Sequence, residues 1–354
     1  MSIGEGRCKM TGIYDCFGYG SGYDVSFEER YKLIRKSGFD CVMLWWSNQF
    51  GRGDGYQEDV RLARRVGLFV ESIHVPVHEQ NNLSLDNLSG EGVFQSYLQC
   101  VADCCEYDIP TMVIHLPNDN NPLNQTGIRR LAELINKAEQ KNIQIAFENL
   151  SNIKNLKIVL NKFTSNNVGY CYDSCHHINY APDEDLLGMY GNRLMAIHLQ
   201  DNGGSHNQHQ LPFNGNINWD TVMEKITCTG YRGATTLEPM NWDYSHLNIC
   251  QFLELAYERA KRLDYLLILR VWEITPNKKN CILCVQMHCL LSCEYRNEIK
   301  FEFRKKAKKR MPIIKLYTGL ALRRLKKISN IKPFSSLFFR FYGFEWNMVQ
   351  LGTV

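Results

Sequence analysis

Short apolar runs alternate with amphipathic segments from residue 10 to residue 264, and few folds accept that rhythm. The runs cover 10–16, 40–46, 68–74, 111–115, 143–148, 168–173, 194–199 and 234–238. Each is bounded by turn-forming residues and reads as a buried strand. The segments between and after them predict helices over 26–38, 56–67, 87–108, 123–142, 152–163, 183–192, 218–229 and 246–264. The first shows how such a helix is written: Ser26 is placed as N-cap, Glu29 follows three residues on, and Gly38 closes it. Strands that alternate with helices imply a parallel sheet with right-handed crossovers. Eight repeats favour closure into an α/β (β/α)8 TIM barrel over an open doubly wound sheet. No GxGxxG follows the first strand, so the dinucleotide-binding form of the open sheet lacks its fingerprint.

Charge divides the chain. Residues 1–266 hold 23 Lys and Arg against 32 Asp and Glu, a net of −9; residues 267–354 hold 18 against 5, a net of +13. The overall +4 describes neither part. Two domains are expected, a barrel over 1–265 and a basic, poorly ordered extension over 266–354. The extension carries charge runs at 305–310 and 323–327, an aromatic stretch at 333–344, and Cys281, Cys284, Cys289 and Cys293 in an apolar context that does not resemble a metal knuckle. No apolar run reaches the ~18 residues a bilayer span needs. Residues 1–12 lack a signal-peptide core, so the 14 cysteines read as reduced thiols of a cytoplasmic protein. The acidic barrel disfavours a nucleic-acid partner, since phosphate binding rests on Lys and Arg. A homo-oligomer is the expected assembly.

Four of the strands end in a residue that is poorly suited to packing: Glu148, Asp173, His198 and Glu238, separated by 25, 25 and 40 residues. Barrel active sites sit at the C-terminal strand ends. Three carboxylates and an imidazole form a mixed oxygen and nitrogen set that suits Mn, Mg, Co or Zn. Glu148 and Glu238 are the candidate acid/base pair for removing a proton from a carbon beside a carbonyl, giving an enediolate. His74 and His115 end the third and fourth strands, His176 follows Asp173, and His209 lies in the loop after the seventh strand. With Trp45 at the end of the second strand, they are the candidate substrate-binding residues. Gly203 and Gly204 lie where barrels often bind phosphate, although a plain turn is the simpler reading.

FENL (147–150), CYDSCHH (171–177), IHLQDN (197–202), QHQLPFNGNINW (208–219) and TLEPM (236–240) resemble the sugar phosphate isomerase/epimerase group of the xylose-isomerase-like barrel superfamily. IYDCFGY (13–19), GFDCVMLWW (38–46) and IHVP (73–76) agree, and the resemblance covers about residues 10–265. It implies that Glu148, Asp173, His198 and Glu238 bind the metal, that Glu148 and Glu238 move protons, and that His176 contacts substrate. Two departures bear on chemistry. Ketose 3-epimerases place a substrate-gripping Arg where this chain has Gly204. Endonuclease IV, a superfamily member with three zincs, places an Asp where this chain has Asn207. A sugar isomerase or epimerase is therefore expected. An inosose-type dehydratase and an endonuclease IV-like zinc phosphodiesterase are the alternatives.

Overall fold

The computed structural model describes residues 10–18, 22–49, 53–118, 120–205 and 208–274, with side chains to 266, and two short strands near the C-terminus. Eight parallel strands form the sheet: β1 (Thr11–Tyr14), β2 (Cys41–Trp45), β3 (Phe69–His74), β4 (Thr111–Ile114), β5 (Gln144–Glu148), β6 (Val168–Asp173), β7 (Leu194–His198) and β8 (Thr235–Leu237). They neighbour one another in the order β7-β6-β5-β4-β3-β2-β1-β8. Leu199 closes the ring: its N–H donates to Thr236 O and its carbonyl accepts from Glu238 N. All eight expected strands are present, and the (β/α)8 barrel is the observed fold.

Helices follow the strands: α1 (Phe27–Lys36), α2 (Glu58–Arg65), α3 (Leu88–Glu106), α4 (Gln125–Lys141), α5 (Ile153–Lys162), α6 (Ser174–Tyr180), α7 (Leu186–Tyr190), α8 (Trp219–Thr229) and α9 (Ile249–Ile274). α4 shows the packing rule. Leu131, Leu134, Ile135 and Ala138 recur at helical spacing and are buried, while Glu133 and Lys137 face water. Asn142, at a φ of 55°, ends it in the left-handed conformation that asparagine tolerates.

One expectation is corrected. A single helix was expected over 183–192, but a further helix, α6, starts directly after β6. Asp173 Oδ1 accepts from the His176 N–H at 2.6 Å and caps it. Its seven residues carry too little apolar periodicity to be read from sequence. The composition change at 266 falls within α9, which runs on to Ile274. The cysteine-rich stretch 281–293 and both charge runs of the extension lie outside the described residues. Within residues 283–354, Phe339–Phe341 and Phe344–Trp346 pair as an antiparallel two-stranded sheet. No helix among the described residues is long and apolar enough to cross a membrane.

Two buried arginines set loop shape at the mouth. Arg30 donates to the carbonyls of Asp15, Phe17 and Tyr23, fixing the turn after β1. Arg130 donates to the carbonyls of Leu83 and Leu85 after β3. At the opposite end of the barrel, Asp264 accepts from Thr11, Thr235 and Lys261. Gly12 is required there, since a Cβ would come within 2.8 Å of Thr236, Cys41 and Glu71.

Candidate metal centre and its pocket

β5, β6 and β7 end side by side. In their register Glu148 lies opposite Cys171, and Asp173 lies opposite His198. Residues two apart on a strand share a face. Val113, Ala146, Cys171 and Ala196, each two residues before His115, Glu148, Asp173 or His198, therefore form a small buried floor beneath them. Glu238 joins from the end of β8. All four expected ligands are buried: Asp173 is 0% exposed, Glu148 and His198 1%, and Glu238 7%. One donor atom from each lies within 4.8 Å of the others.

The expected histidines surround this cluster. His115 Nε2 lies 3.1 Å from Glu148 Oε2, and His74 Nε2 lies 3.5 Å from it. His176 Nδ1 is 2.9 Å from Glu148 Oε1. His198 Nδ1 is 3.1 Å from Glu148 Oε2 and 3.2 Å from Glu238 Oε2. His209 sits one ring further out, 6.3 Å from His176 between centroids, with Nδ1 3.1 Å from the Glu238 carbonyl. That contact places the proton on Nδ1 and leaves Nε2 as an acceptor. Trp45 forms wall, 5.3 Å from the His74 ring. Its neighbour Trp46 points the other way, and its indole N–H donates to Asp103 Oδ2 at 2.7 Å on α3.

The donor atoms fit a cation. Glu148 Oε1, His176 Nδ1, both His198 nitrogens and Glu238 Oε2 are buried with no hydrogen bond of acceptable geometry. Buried polar atoms are normally satisfied. Five unmatched atoms in one cluster of oxygen and nitrogen donors are what a divalent ion would satisfy. His74, Glu148 and His198 form a second group of the same kind, sharing Glu148 and His198 with the first.

The cluster sorts its protons. Burial raises Glu238, but His198 outweighs it and holds the carboxyl down at about 2. Glu148 is likewise held well below the usual carboxylate range by His115 and His198, against its burial. Burial pushes Asp173 up to about 7, which nearby His176 only partly offsets. Burial lowers His176 and His198, but Asp173 and Glu148 reverse this for His176, taking it to about 9, and Cys171, Glu238 and Glu148 reverse it for His198, which lies well above its usual value. His115 and His209 are lowered by burial and are neutral at pH 7. Without a cation the cluster thus holds anionic Glu148 and Glu238 beside cationic His176 and His198.

Several supporting residues escaped the sequence reading. Asn149, 0% exposed, accepts from the Asp173 N–H and donates to the Asp173 carbonyl. The Gln200 amide donates to Asp173 Oδ2 at 2.6 Å. Both sit one or two residues beyond an expected ligand, the only signal the sequence offered. Asp201 holds the loop that carries His209. Its carboxylate accepts from the N–H groups of Asn202, Phe213 and Ile217 and from the Trp219 indole. Trp242, 51% exposed, packs 5.6 Å from His209 at the rim. Gly204 is exposed at a φ of 108°. Asn207 lies outside the described residues.

Fold and site together define a (β/α)8 barrel with a buried cluster at its C-terminal mouth that could hold a metal. The chain belongs to the xylose isomerase-like TIM barrel family, whose sequence profile matches residues 31–255. Uncharacterized protein y4fM of Sinorhizobium fredii (strain NBRC 101917 / NGR234) is 26% identical over 283 residues, which cover 68% of this chain and 90% of that one. Among solved structures, a D-tagatose 3-epimerase-like protein superposes with a TM-score of 0.60 at 19% identity, over 75% of this chain and 99% of its own. An IolI protein with a binding zinc atom superposes at 0.59 and 15% identity, over 73% and 98%. At these identities the two structures establish a shared fold.

Proposed function

We propose that this protein is a divalent-metal-dependent isomerase or epimerase acting on a sugar, sugar phosphate or related keto-polyol. The observation that carries the reading is the convergence of unmatched buried donor atoms from Glu148, His198 and Glu238 at the barrel mouth. Glu148, Asp173, His198 and Glu238 would hold the cation, with Mn, Mg, Co or Zn matching their donor set. When bound, it would supply Lewis-acid polarisation of the substrate's oxygens.

The chain's own groups account for the proton transfers. Glu148 and Glu238 are ionised and each brings an oxygen to His198 Nδ1, so each can accept a proton from a substrate carbon held there. Removal beside a carbonyl leaves an enediolate. Return by the same carboxylate to the adjacent carbon gives isomerisation, and return by the other to the opposite face gives epimerisation. A positioned base of this kind contributes ~10²–10⁴ in rate. His176, cationic and 2.9 Å from Glu148, can donate to a substrate oxygen. Neutral His115 and His209, with His74 and Trp45, line the pocket as hydrogen-bonding and stacking groups. The fold shared with a D-tagatose 3-epimerase-like protein and with a zinc-containing IolI protein supports this reading.

The test is deuterium incorporation from solvent into a panel of ketoses and keto-polyols with Mn present. Exchange is expected with the wild type and is expected to fall by ~10² or more in Glu148→Gln. A protein that exchanges none of them but cleaves abasic DNA would refute the proposal. Dehydration of an inosose-type keto-polyol begins with the same proton abstraction and would appear as loss of water from an exchanging substrate. The second donor group, with His115 also on Glu148, favours one further reading, an endonuclease IV-like zinc phosphodiesterase. Metal stoichiometry separates the two: one ion per chain for the isomerase, several zincs for the nuclease.

A further inference from the structure

His209 reaches the pocket from the long connection between β7 and α8, and its φ is 48°. A residue with a side chain keeps such a left-handed backbone only where its surroundings over-determine it. Asp201 secures much of the connection through Asn202, Phe213, Ile217 and Trp219, but none of those four donors belongs to His209. Further along, the Arg262 guanidinium of α9 lies 3.8 Å from the centre of the Phe213 ring. Three contacts reach His209 itself. Its carbonyl accepts from the Met240 N–H at 2.8 Å, and its Nδ1 donates to the Glu238 carbonyl at 3.1 Å. Its own N–H is directed at the sulfur of Cys175.

Cys175 is the second residue of α6 and is 0% exposed. A buried cysteine is by default a small hydrophobe. This one sits in a polar cluster. Asn179 Nδ2 and Asn202 Nδ2 each donate to its sulfur at 3.4 Å. Asn202 Nδ2 also donates to Asn179 Oδ1 at 2.8 Å, so the two amides brace each other. The Asn202 carbonyl accepts from the Asn216 N–H and Asn202 Oδ1 from the Gly204 N–H, both at 2.7 Å, which ties the cluster to both limbs of the connection. Ser174, one residue earlier, grips the start of the same connection. Its hydroxyl donates to the Gln200 carbonyl at 2.7 Å and accepts from the Gln200 N–H at 3.0 Å. Sulfur is a weak acceptor, yet donors from α6 and from both ends of the connection converge on this one.

We infer that Cys175 is a positioning residue of the pocket: with Asn179 and Asn202, its sulfur fixes the backbone of His209, so that the imidazole stays on the Glu238 carbonyl and beside the His176 ring. The first turn of α6 thus has a task besides carrying His176. It clamps the connection that follows the neighbouring strand. This role holds whichever reaction the pocket performs, so it and the isomerase reading can fail separately.

The experiment follows imidazole N–H protons by NMR in the full-length protein with isotopically labelled histidine. Mg is present, a diamagnetic ion that leaves the signals visible. His209→Gln and His74→Gln assign the two signals of interest. The His74 Nδ1–H, held by the Val75 carbonyl at 3.0 Å, serves as the internal reference. In Cys175→Ala the His209 proton is expected to exchange with water about tenfold faster or more, with the His74 proton unchanged, because removing a buried acceptor opens only that contact. Cys175→Ser keeps an acceptor and should recover at least part of the protection. A His209 proton that exchanges at the wild-type rate in Cys175→Ala overturns the inference. Equal acceleration of both protons also overturns it, as the mark of a sulfur that merely fills space, and so does a serine variant no better protected than alanine. Should Cys175→Ala fail to fold, Asn179→Ala removes one donor from the half-buried edge of the cluster. A smaller acceleration confined to His209 is then expected, and an unchanged His209 proton overturns the inference.

Discussion

Asp201 holds the loop that brings His209 to the pocket, and replacing it with asparagine tests that role in one atom. The carboxylate is 0% exposed and accepts four donors: Asn202 N and Ile217 N on Oδ1, Phe213 N and the Trp219 indole on Oδ2. Asparagine keeps one acceptor oxygen and replaces the other with an NH2 group. Either orientation of the amide sets two buried donors against a donor. Leaving a buried donor unsatisfied costs about 1–3 kcal/mol. Two such donors give about 2–6 kcal/mol, with the upper end reduced by rearrangement. We expect Asp201→Asn to lose at least about 2 kcal/mol in urea unfolding. Limited proteolysis should cut the 203–210 segment faster. The control is Trp219→Phe, which removes one donor along with its acceptor contact and should cost less. Asp201→Asn within about 0.5 kcal/mol of the wild type, the range of an ordinary surface substitution, would refute this account of how the loop is held.

Metal affinity should fall as pH drops from 8 to 6. Asp173, raised to about 7, and His198, raised well above its usual value, both hold protons in the cation-free site that a metal must displace. The same shifts set stability without metal. The Asp173 contribution is complete below the ordinary carboxylate range and is lost as pH rises through about 7. That of Glu238 runs oppositely, present above the ordinary range and lost as pH falls toward about 2. Calorimetry with Mn across this range checks the first trend, and a flat profile would contradict it. Gln200→Leu removes the amide that fixes Asp173 Oδ2 and should weaken metal binding by ~10–100-fold, with the fold intact by circular dichroism. Leu134→Ala, in the buried stripe of α4, should cost about 2–5 kcal/mol in unfolding and leave metal affinity unchanged.

The sequence by itself determined the architecture. Eight apolar runs at the length of buried strands, alternating with amphipathic helices, admit few closures. The caps that end those helices are written locally, as with Ser26 and Asn142. The strand-end positions of Glu148, Asp173, His198 and Glu238 were legible for the same reason: a charged residue closing an apolar run is conspicuous. α6 was not, because its cap is Asp173, which the sequence marks first as a ligand candidate. Tertiary structure decided everything that depends on contacts between elements. Register alone sets Asp173 opposite His198 and Glu148 one step below. Only packing shows that Asn149, Gln200 and Asp201 serve the site, since polar residues next to ligands are common and their partners lie on another strand or further along the loop. Only the fold gathers the loops that follow eight separate strands at one mouth, with buried Arg30 and Arg130 bonded to the carbonyls of two of them. A sequence lists charges in order along the chain, whereas an electric field depends on their positions in space.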